Sequence, residues 1–408
     1  HLSIRRQRQM CIRDSLSART SVLSWIPQAK SPDTLVERSR ELLQKLGYTQ
    51  GPLDRAYGYE ASDFMDQLGK AANRSEQLKN GEPPALLFWY RQSPRYISNS
   101  NFFRAGIVQP SSPPQQDSGS ITLNLDTEGR LVKLEAVPPQ KDDTAAGQAR
   151  LDWNVLLLEA GFDPAKFKPV APAWVPPHYA ELRMAWEGVY ARRADIPIRI
   201  EAAAANGKPV YFEIIKPWSR PSRMETPREG VGSKILTVLF VTLFLGVFVG
   251  TVLLAWRNLK LNRGDRRGAL RISVCLFLME IVGRFLEAHF VPDLGEVFPL
   301  AWLILCRALW FGAFVWIGYI ALEPHVRRLW PHTIISWSRL LAGQLRDPRI
   351  GRDILIGGAF GITIPLLDEL MYLITAKFGG TMAPALAVYS FRISLAGKPA
   401  FAFDLLKE

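Results

Sequence analysis

Charged side chains interrupt the apolar second half of this sequence at a helical spacing. Glu280, Arg284 and Glu287 stand at positions i, i+4 and i+7, so one helix would carry all three on a single face. Arg307 falls midway along the next apolar stretch. Such groups are costly in lipid and normally face a partner or a wet cavity. The simplest interpretation is an ion pair, Glu280 with Arg307 or with Arg284, that fixes helix packing.

Two alternatives give these charges a chemical role. They would line a proton or ion path of a transporter, to which Asp368 and Glu369 in the last apolar stretch add carboxylates, or they would belong to an intramembrane metalloprotease. The CAAX-type intramembrane proteases, whose motifs these residues resemble faintly, need a glutamate pair and two motifs on separate helices. Here Glu280-x-x-x-Arg284 and Phe285-x-x-x-His289 adjoin. Packing is therefore the preferred interpretation.

The remaining reactive residue types form no recognisable site. His178 stands beside two prolines and has no serine or cysteine partner at a known spacing. Of the three cysteines, Cys275 and Cys306 lie in apolar segments and Cys11 lies near the start, so neither a disulfide framework nor a zinc spacing is present. The sequence predicts no catalytic residue, no metal site and no cofactor for this chain.

Apolar segments determine the organisation of the chain. Ile235–Trp256 contains no charged residue and is long enough to cross a hydrocarbon core of about 30 Å. Further apolar stretches follow, and an apolar stripe among arginines predicts a helix lying in the membrane interface. The predicted transmembrane helices are 235–256, 269–290, 298–322 and 354–375, with the interfacial helix near 333–346.

Charge predicts the orientation of these helices. The formal net charge is +12, and the basic residues of this half cluster between apolar segments, as the positive-inside rule expects, so we do not predict nucleic-acid binding. The interfacial basic residues are Arg327, Arg328, Arg339 and Arg346. The arginine-rich connections then lie in the cytoplasm, and residues 1–233 lie outside it. The prediction is a multi-pass protein of the bacterial cytoplasmic membrane, with the lipid bilayer as a partner.

A small-residue motif lies in the first predicted span. Gly246-x-x-x-Gly250 has the spacing of helix dimerisation motifs, so a homodimer through this face is one expectation.

The first half of the chain reads as α+β. Ser31-Pro32 begins an amphipathic helix that ends at Gly47, a second helix is predicted over about 60–78, and residues 85–90 form a buried strand. Residues 120–137 alternate as a β-hairpin that turns at Gly129.

The same pattern then returns. Residues 153–160 repeat the apolar helix and stop at Gly161-Phe162, and residues 196–218 form a hairpin that turns at Asn206-Gly207. We therefore predict two helix-plus-antiparallel-hairpin units followed by an α-helical multi-span membrane domain. The predicted segments are a disordered or non-native leader at 1–30, α+β units at 31–140 and 141–218, a linker at 219–233 and the membrane domain at 234–408. Because the chain starts at His1 and not at a methionine, we expect it to be a fragment, and Arg6–Ser15 reads like translated sequencing adapter.

Several stretches resemble one family. They are SRELLQKLGY (Ser39–Tyr48), DRAYGY (Asp54–Tyr59), PPALLFWYRQSPR (Pro83–Arg95), GRLVKLEAVPPQ (Gly129–Gln140), AWEGV (Ala185–Val189) and, most specific, the run Ala321–Gly357. Together they resemble the region downstream of the kinase domain in transmembrane serine/threonine protein kinases of Acidobacteria and related soil bacteria.

The resemblance implies the sensory and membrane-anchoring portion of a receptor whose cytoplasmic kinase domain is the partner. No kinase residue carries over, because the sequence has no Gly-rich phosphate loop, no V-A-I-K lysine, no H-R-D and no D-F-G. We therefore predict that the chain is not itself an enzyme. The alternatives left open are the intramembrane enzyme or transporter above and a structural envelope protein. The ligand is not predicted.

Overall fold

The computed structural model describes residues 26, 30–68, 74–99, 101–141, 151–221, 223–224, 231–329, 339 and 348–377. Before the apolar helices come helices α1 (Pro32–Lys45), α2 (Phe64–Leu68), α3 (Arg74–Lys79) and α4 (Asn154–Glu159). The strands are β1 (Asp54–Ala61), β2 (Leu86–Ser93), β3 (Ile121–Leu125), β4 (Leu131–Ala136), β5 (Lys168–Val170), β6 (Leu182–Val189), β7 (Pro197–Ala205) and β8 (Lys208–Ile215). The apolar helices are α5 (Val231–Lys260), α6 (Arg266–Glu287), α7 (Leu294–Leu329) and α8 (Pro348–Lys377).

All eight strands form one antiparallel sheet in the order β1-β2-β3-β4-β8-β7-β6-β5. Each half is a helix followed by a four-stranded meander, and the halves join where β4 pairs with β8, with Leu134 opposite Phe212. The two predicted units therefore share a single sheet, because each hairpin leaves a strand edge that the other half completes. The antiparallel α+β prediction is confirmed, and so are both hairpins.

Glycine ends the corresponding helix of each half in the same way. Gly47 and Gly161 have φ of 88° and 81°, which only glycine adopts freely. The next residues close the helices alike: Tyr48 N–H donates to Leu43 and Phe162 N–H donates to Leu157, each at 2.9 Å. These matching ends support an internal duplication.

The predicted helix over 60–78 is wrong at its start. Residues 54–61 form β1, and α2 and α3 follow as two short helices. Tyr57 and Tyr59, two residues apart, both pack on Phe88 of β2 in the core. This two-residue period is that of a strand and not of a helix. Gly58 lies between them, and a Cβ added there would be 2.8 Å from the Trp89 ring. Glycine at this position therefore leaves room for that ring.

The sheet has one apolar face and one polar face. Helices α1 and α4 cover the apolar face with the fully buried Leu35, Leu42 and Leu156, which belong to the same core as Phe88 and Phe212. Strand β4 shows the alternation, since Leu134 is buried in that core while Lys133 and Glu135 point to the other side. The described residues of 94–119 lie over part of the polar face, and we call this segment the cover loop.

Two of the later helices, Lys234–Lys260 and Leu294–Leu329, are long and apolar enough to cross a membrane. Along the first, large apolar side chains such as Leu236, Phe240 and Leu243 are about two-thirds exposed (67%, 68% and 64%). The other predicted spans, 269–290 and 354–375, are helical as α6 and α8. The interfacial helix predicted near 333–346 lies outside the described residues apart from Arg339.

The chain forms two compact units. Among the described residues, the first contains the chain up to Ser219, the end of α8 from Asp368, and Glu287–Val297, which holds the connection between α6 and α7 with the adjoining helix ends. We call Glu287–Val297 the interhelix segment. The second unit holds Arg220–Leu286 and Phe298–Leu367.

Candidate functional site

The structure brings three of the predicted intramembrane charges together. The Glu280 carboxylate accepts from Arg307 Nε at 2.8 Å and from Arg284 Nε at 3.1 Å. Glu280 therefore bridges α6 to α7, as helix packing requires. An ion pair that satisfies both charges lowers their cost in an apolar environment.

The remaining predicted residues occupy other positions of the apolar half. Glu287 is the last residue of α6, and Arg327 near the end of α7 pairs with Glu323 one turn earlier. Arg328 is exposed and Arg339 is half-buried. Asp368 and Glu369 lie on α8, but their side chains are outside the description, and so is Arg346. An added Cβ at Gly246 or Gly250 would meet nothing within 4 Å, so the predicted dimer face is open in this chain.

His289 binds the sheet. Its Nε2 lies 3.0 and 3.1 Å from the two carboxylate oxygens of Asp54, at the start of β1. Asp54 also accepts two backbone hydrogen bonds, from the N–H groups of Arg55 and Ile97 at 2.7 and 2.8 Å. Among the described residues, no group of three or more His, Cys, Asp or Glu side chains is placed to hold a metal ion.

Two further contacts join the interhelix segment to the cover loop. The His289 backbone N–H donates to Gly106 O at 2.7 Å, and the Tyr96 hydroxyl donates to Pro292 O at 3.4 Å. Ala288 and Val291 of the segment are buried. The segment is thus bound through both its backbone and its side chains.

The cover loop is itself held by polar contacts. Asn99 O accepts from Gly106 N–H at 2.8 Å, and the Asn99 amide donates to Ile107 O at 2.6 Å. On its underside, Gln109 O accepts from Arg91 Nη1 of β2 at 2.7 Å. The loop therefore contacts the interhelix segment on one side and a buried arginine on the other.

A second charged group lies at the opposite end of the sheet, where β3 turns into β4. Glu82 and Asp126 are almost fully buried, and both accept from the Arg130 guanidinium, at 2.7 and 2.6 Å. Glu82 also accepts from the Arg192 backbone N–H at 2.8 Å. Burial alone would lower the pKa of Arg130, but the carboxylates of Asp126, Glu128 and Glu82 raise it overall. These are the contacts of a structural cluster that ties the two halves together.

Sequence reasoning missed Asp54 and Arg91. Asp54 precedes the helix predicted over about 60–78, and Arg91 follows the strand predicted at 85–90. Neither residue belongs to a motif with a known spacing. The one available signal was a basic residue in the run ALLFWYRQS, since a charge inside a buried strand needs a partner.

Compared with protein-family models, curated proteins and solved structures, the chain has no match in any of the three. A functional conclusion therefore depends on the geometry of the chain itself.

Proposed function

We propose that this chain is the sensory and membrane-anchoring portion of a bacterial transmembrane serine/threonine protein kinase, with the sheet domain as the extracytoplasmic sensor. The observation that carries the proposal is the docking of the interhelix segment on the sheet domain through His289 and Asp54. Because this segment connects two apolar helices, a change in its contacts with the sensor can change the position of both helices. The resemblance of residues 33–375 to such kinases supplies the cytoplasmic partner.

In the proposed arrangement the chain crosses the bacterial cytoplasmic membrane several times, and residues 1–233 lie outside the cytoplasm. Two sufficiently apolar helices support this, as do the exposed apolar side chains of α5. The interhelix segment belongs to the same compact unit as the sheet, which supports an arrangement with both on one side of the bilayer. The basic connection 257–271 then lies on the other side, as the positive-inside rule requires.

In the proposed signal relay, a displacement of the cover loop would compete with the contacts that hold the interhelix segment on the sheet. Hydrogen bonds to charged groups contribute about 1.5–3 kcal/mol each, so a displacement of the cover loop that breaks the Asp54–His289 contact changes the stability of the segment by a comparable amount. Energies of this size are typical of the coupling between two sites of a receptor. Glu280, Arg284 and Arg307 serve packing in this scheme.

Sidedness tests the arrangement directly. In a chain whose three cysteines are replaced by serine, Tyr179→Cys in the exposed 171–181 loop should react with a membrane-impermeant maleimide on intact cells. Leu261→Cys, in the basic connection after α5, should react only after the cells are opened. Both residues are well exposed, at 71% and 47%, so accessibility does not separate them. Equal labelling of the two in intact cells overturns the receptor interpretation.

The docking contact predicts a local effect of Asp54→Ala. Removal of the carboxylate takes a partner from His289 and from the Ile97 N–H, so hydrogen exchange in peptides over 94–119 and 287–297 should accelerate about tenfold or more. Mass spectrometry of the full chain in detergent measures this.

Asp117→Ala is the matched control. Asp117 pairs with Arg95 at the surface of the same loop, at 3.3 Å with both side chains exposed, and such a pair contributes less than about 1 kcal/mol. Unchanged exchange of the interhelix peptide in Asp54→Ala would show that the contact does not hold the segment.

A further inference from the structure

Arg91 is buried on the polar face of the sheet. It lies on β2, directly opposite Ala56 of β1 and Thr122 of β3, and only 3% of the residue is exposed. Its neighbour Trp89 packs with Ala56, Ile97 and Val108 into a small apolar cluster under the cover loop. The guanidinium is therefore removed from water.

The hydrogen bonds of this guanidinium are incomplete. Nη1 donates to Gln109 O at 2.7 Å, while Nε is buried and has no partner among the described residues. The part of the chain that the structure describes also offers Arg91 no ion pair. Arginine remains protonated at any physiological pH, so this charge cannot be removed by titration.

Other buried cations of the sheet unit are compensated. Lys216, at 6% exposure, is paired with Asp63, and the partly buried Arg130 is paired with Glu82 and Asp126. The difference appears in the pKa directions: burial lowers the pKa of Arg91 without an opposing acid, whereas nearby carboxylates raise the pKa of Arg130. An unpaired buried charge costs several kcal/mol, so a site that keeps one needs an anion from elsewhere.

We propose that Arg91 anchors a binding site for a small oxyanion, closed by the cover loop. Because Nη1 is taken by Gln109, the free edge of the guanidinium is the one formed by Nε and Nη2. Two oxygens of one carboxylate, phosphate or sulfate group bind such an edge through two parallel hydrogen bonds. A small anion fits best, since the residue is almost fully covered.

The cover loop links this site to the interhelix segment. The loop that closes over Arg91 through Gln109 also carries Gly106 and Tyr96, which contact His289 and Pro292. Anion binding would order the loop and strengthen that contact. This consequence depends on the proposed function, but the binding site itself does not.

Hydrogen exchange of the full chain in detergent tests the site. Sodium sulfate, phosphate and acetate are titrated separately against chloride at constant ionic strength, and exchange is followed in peptides over 86–93 and 94–119. At least one oxyanion should slow exchange about fivefold or more, with half-saturation below about 1 mM. No response to any of the three, or a response equal to that of chloride, overturns the proposal. Since the experiment does not depend on membrane sidedness, its failure would be separate from failure of the proposed function.

Two variants locate the effect. Arg91→Gln should lose the response, whereas Arg183→Gln should keep it, because Arg183 lies on the same face of the sheet but is exposed on β6. A retained response in Arg91→Gln excludes Arg91 as the anchor. Thr122→Asp places a carboxylate directly opposite Arg91, so its cover loop should be protected without added anion and should no longer respond. An unchanged oxyanion response in Thr122→Asp also overturns the site.

Discussion

Replacement of Arg130 by methionine should destabilise the sheet unit by about 3–5 kcal/mol. Methionine keeps the apolar stem of the side chain and removes the guanidinium, so the loss comes mainly from the charge and its hydrogen bonds. Glu82 and Asp126, at 4% and 3% exposure, would keep buried carboxylates without the cation that both now face. Hydrogen exchange in peptides over β3 and β4 should accelerate by two orders of magnitude or more.

The position of Arg130 makes the effect reach both halves of the sheet. Gly161, which ends α4 in the second half, lies so close that a Cβ there would be 2.7 Å from Arg130 Cδ. Glu82, in the first half, also binds the Arg192 backbone of the second. Loss of the guanidinium should therefore loosen the junction as well as the β3–β4 turn.

Two comparisons separate charge from packing at this position. Arg192→Met removes a half-exposed cation that reaches Glu128 at 3.1 Å, and should cost less than about 1 kcal/mol. The double variant Glu82→Gln/Arg130→Met removes one uncompensated charge and should recover part of the loss. Equal destabilisation by Arg130→Met and Arg192→Met would show that the cluster contributes little.

Truncation of Phe212 should have an effect of similar size. Phe212 is fully buried on β8, opposite Leu134 of β4 and Ala202 of β7, at the join between the halves. Phe-to-Ala changes in a close-packed core cost about 3–5 kcal/mol, because apolar contact is lost and a cavity remains. Exchange of the β4 and β8 peptides should accelerate together if the single sheet is the cooperative unit.

Leu182→Ala provides the contrast. Leu182 is 55% exposed at the start of β6, so its truncation should change the free energy of unfolding by less than about 0.5 kcal/mol. Independent responses of β4 and β8 to Phe212→Ala would indicate two separately folding halves.

Local patterns in the sequence were sufficient for much of the secondary structure. Ser31-Pro32 was predicted to begin α1, and the Ser31 hydroxyl caps the helix by accepting from Thr34 N–H at 3.3 Å. Asn206-Gly207 was predicted as the second hairpin turn, and both residues have positive φ, at 52° and 71°. These features depend on residues within a few positions of one another, so propensity and spacing determine them.

The strand β1 shows where local patterns fail. Its residues, DRAYGYEA, contain small and polar side chains on one face, and their strand character comes from pairing with β2 and from the packing of Tyr57 and Tyr59 on Phe88. Partners about thirty residues away supply this stabilisation. Strand propensity is a property of such context more than of the segment itself.

The charged residues of the apolar half were partly predictable. Glu280, Arg284 and Arg307 attracted attention because a charge is unusual among apolar residues, and the structure groups them around one carboxylate. His289 was noted only as part of the motif Phe285-x-x-x-His289, but its partner is Asp54, far away in the sequence. A single sequence carries no signal for that pairing.

The sequence by itself determined the division into an α+β half and an apolar helical half, the repeated helix and hairpin, and the positions where charge enters apolar segments. These are properties of composition and of short-range periodicity. Only the tertiary structure decided that the two halves of the α+β part share one sheet, that the interhelix segment docks on Asp54, and that Arg91 is buried with no acid beside it among the described residues. Each of these depends on which distant side chains meet, because burial and charge compensation are set by the packed structure and not by spacing along the chain.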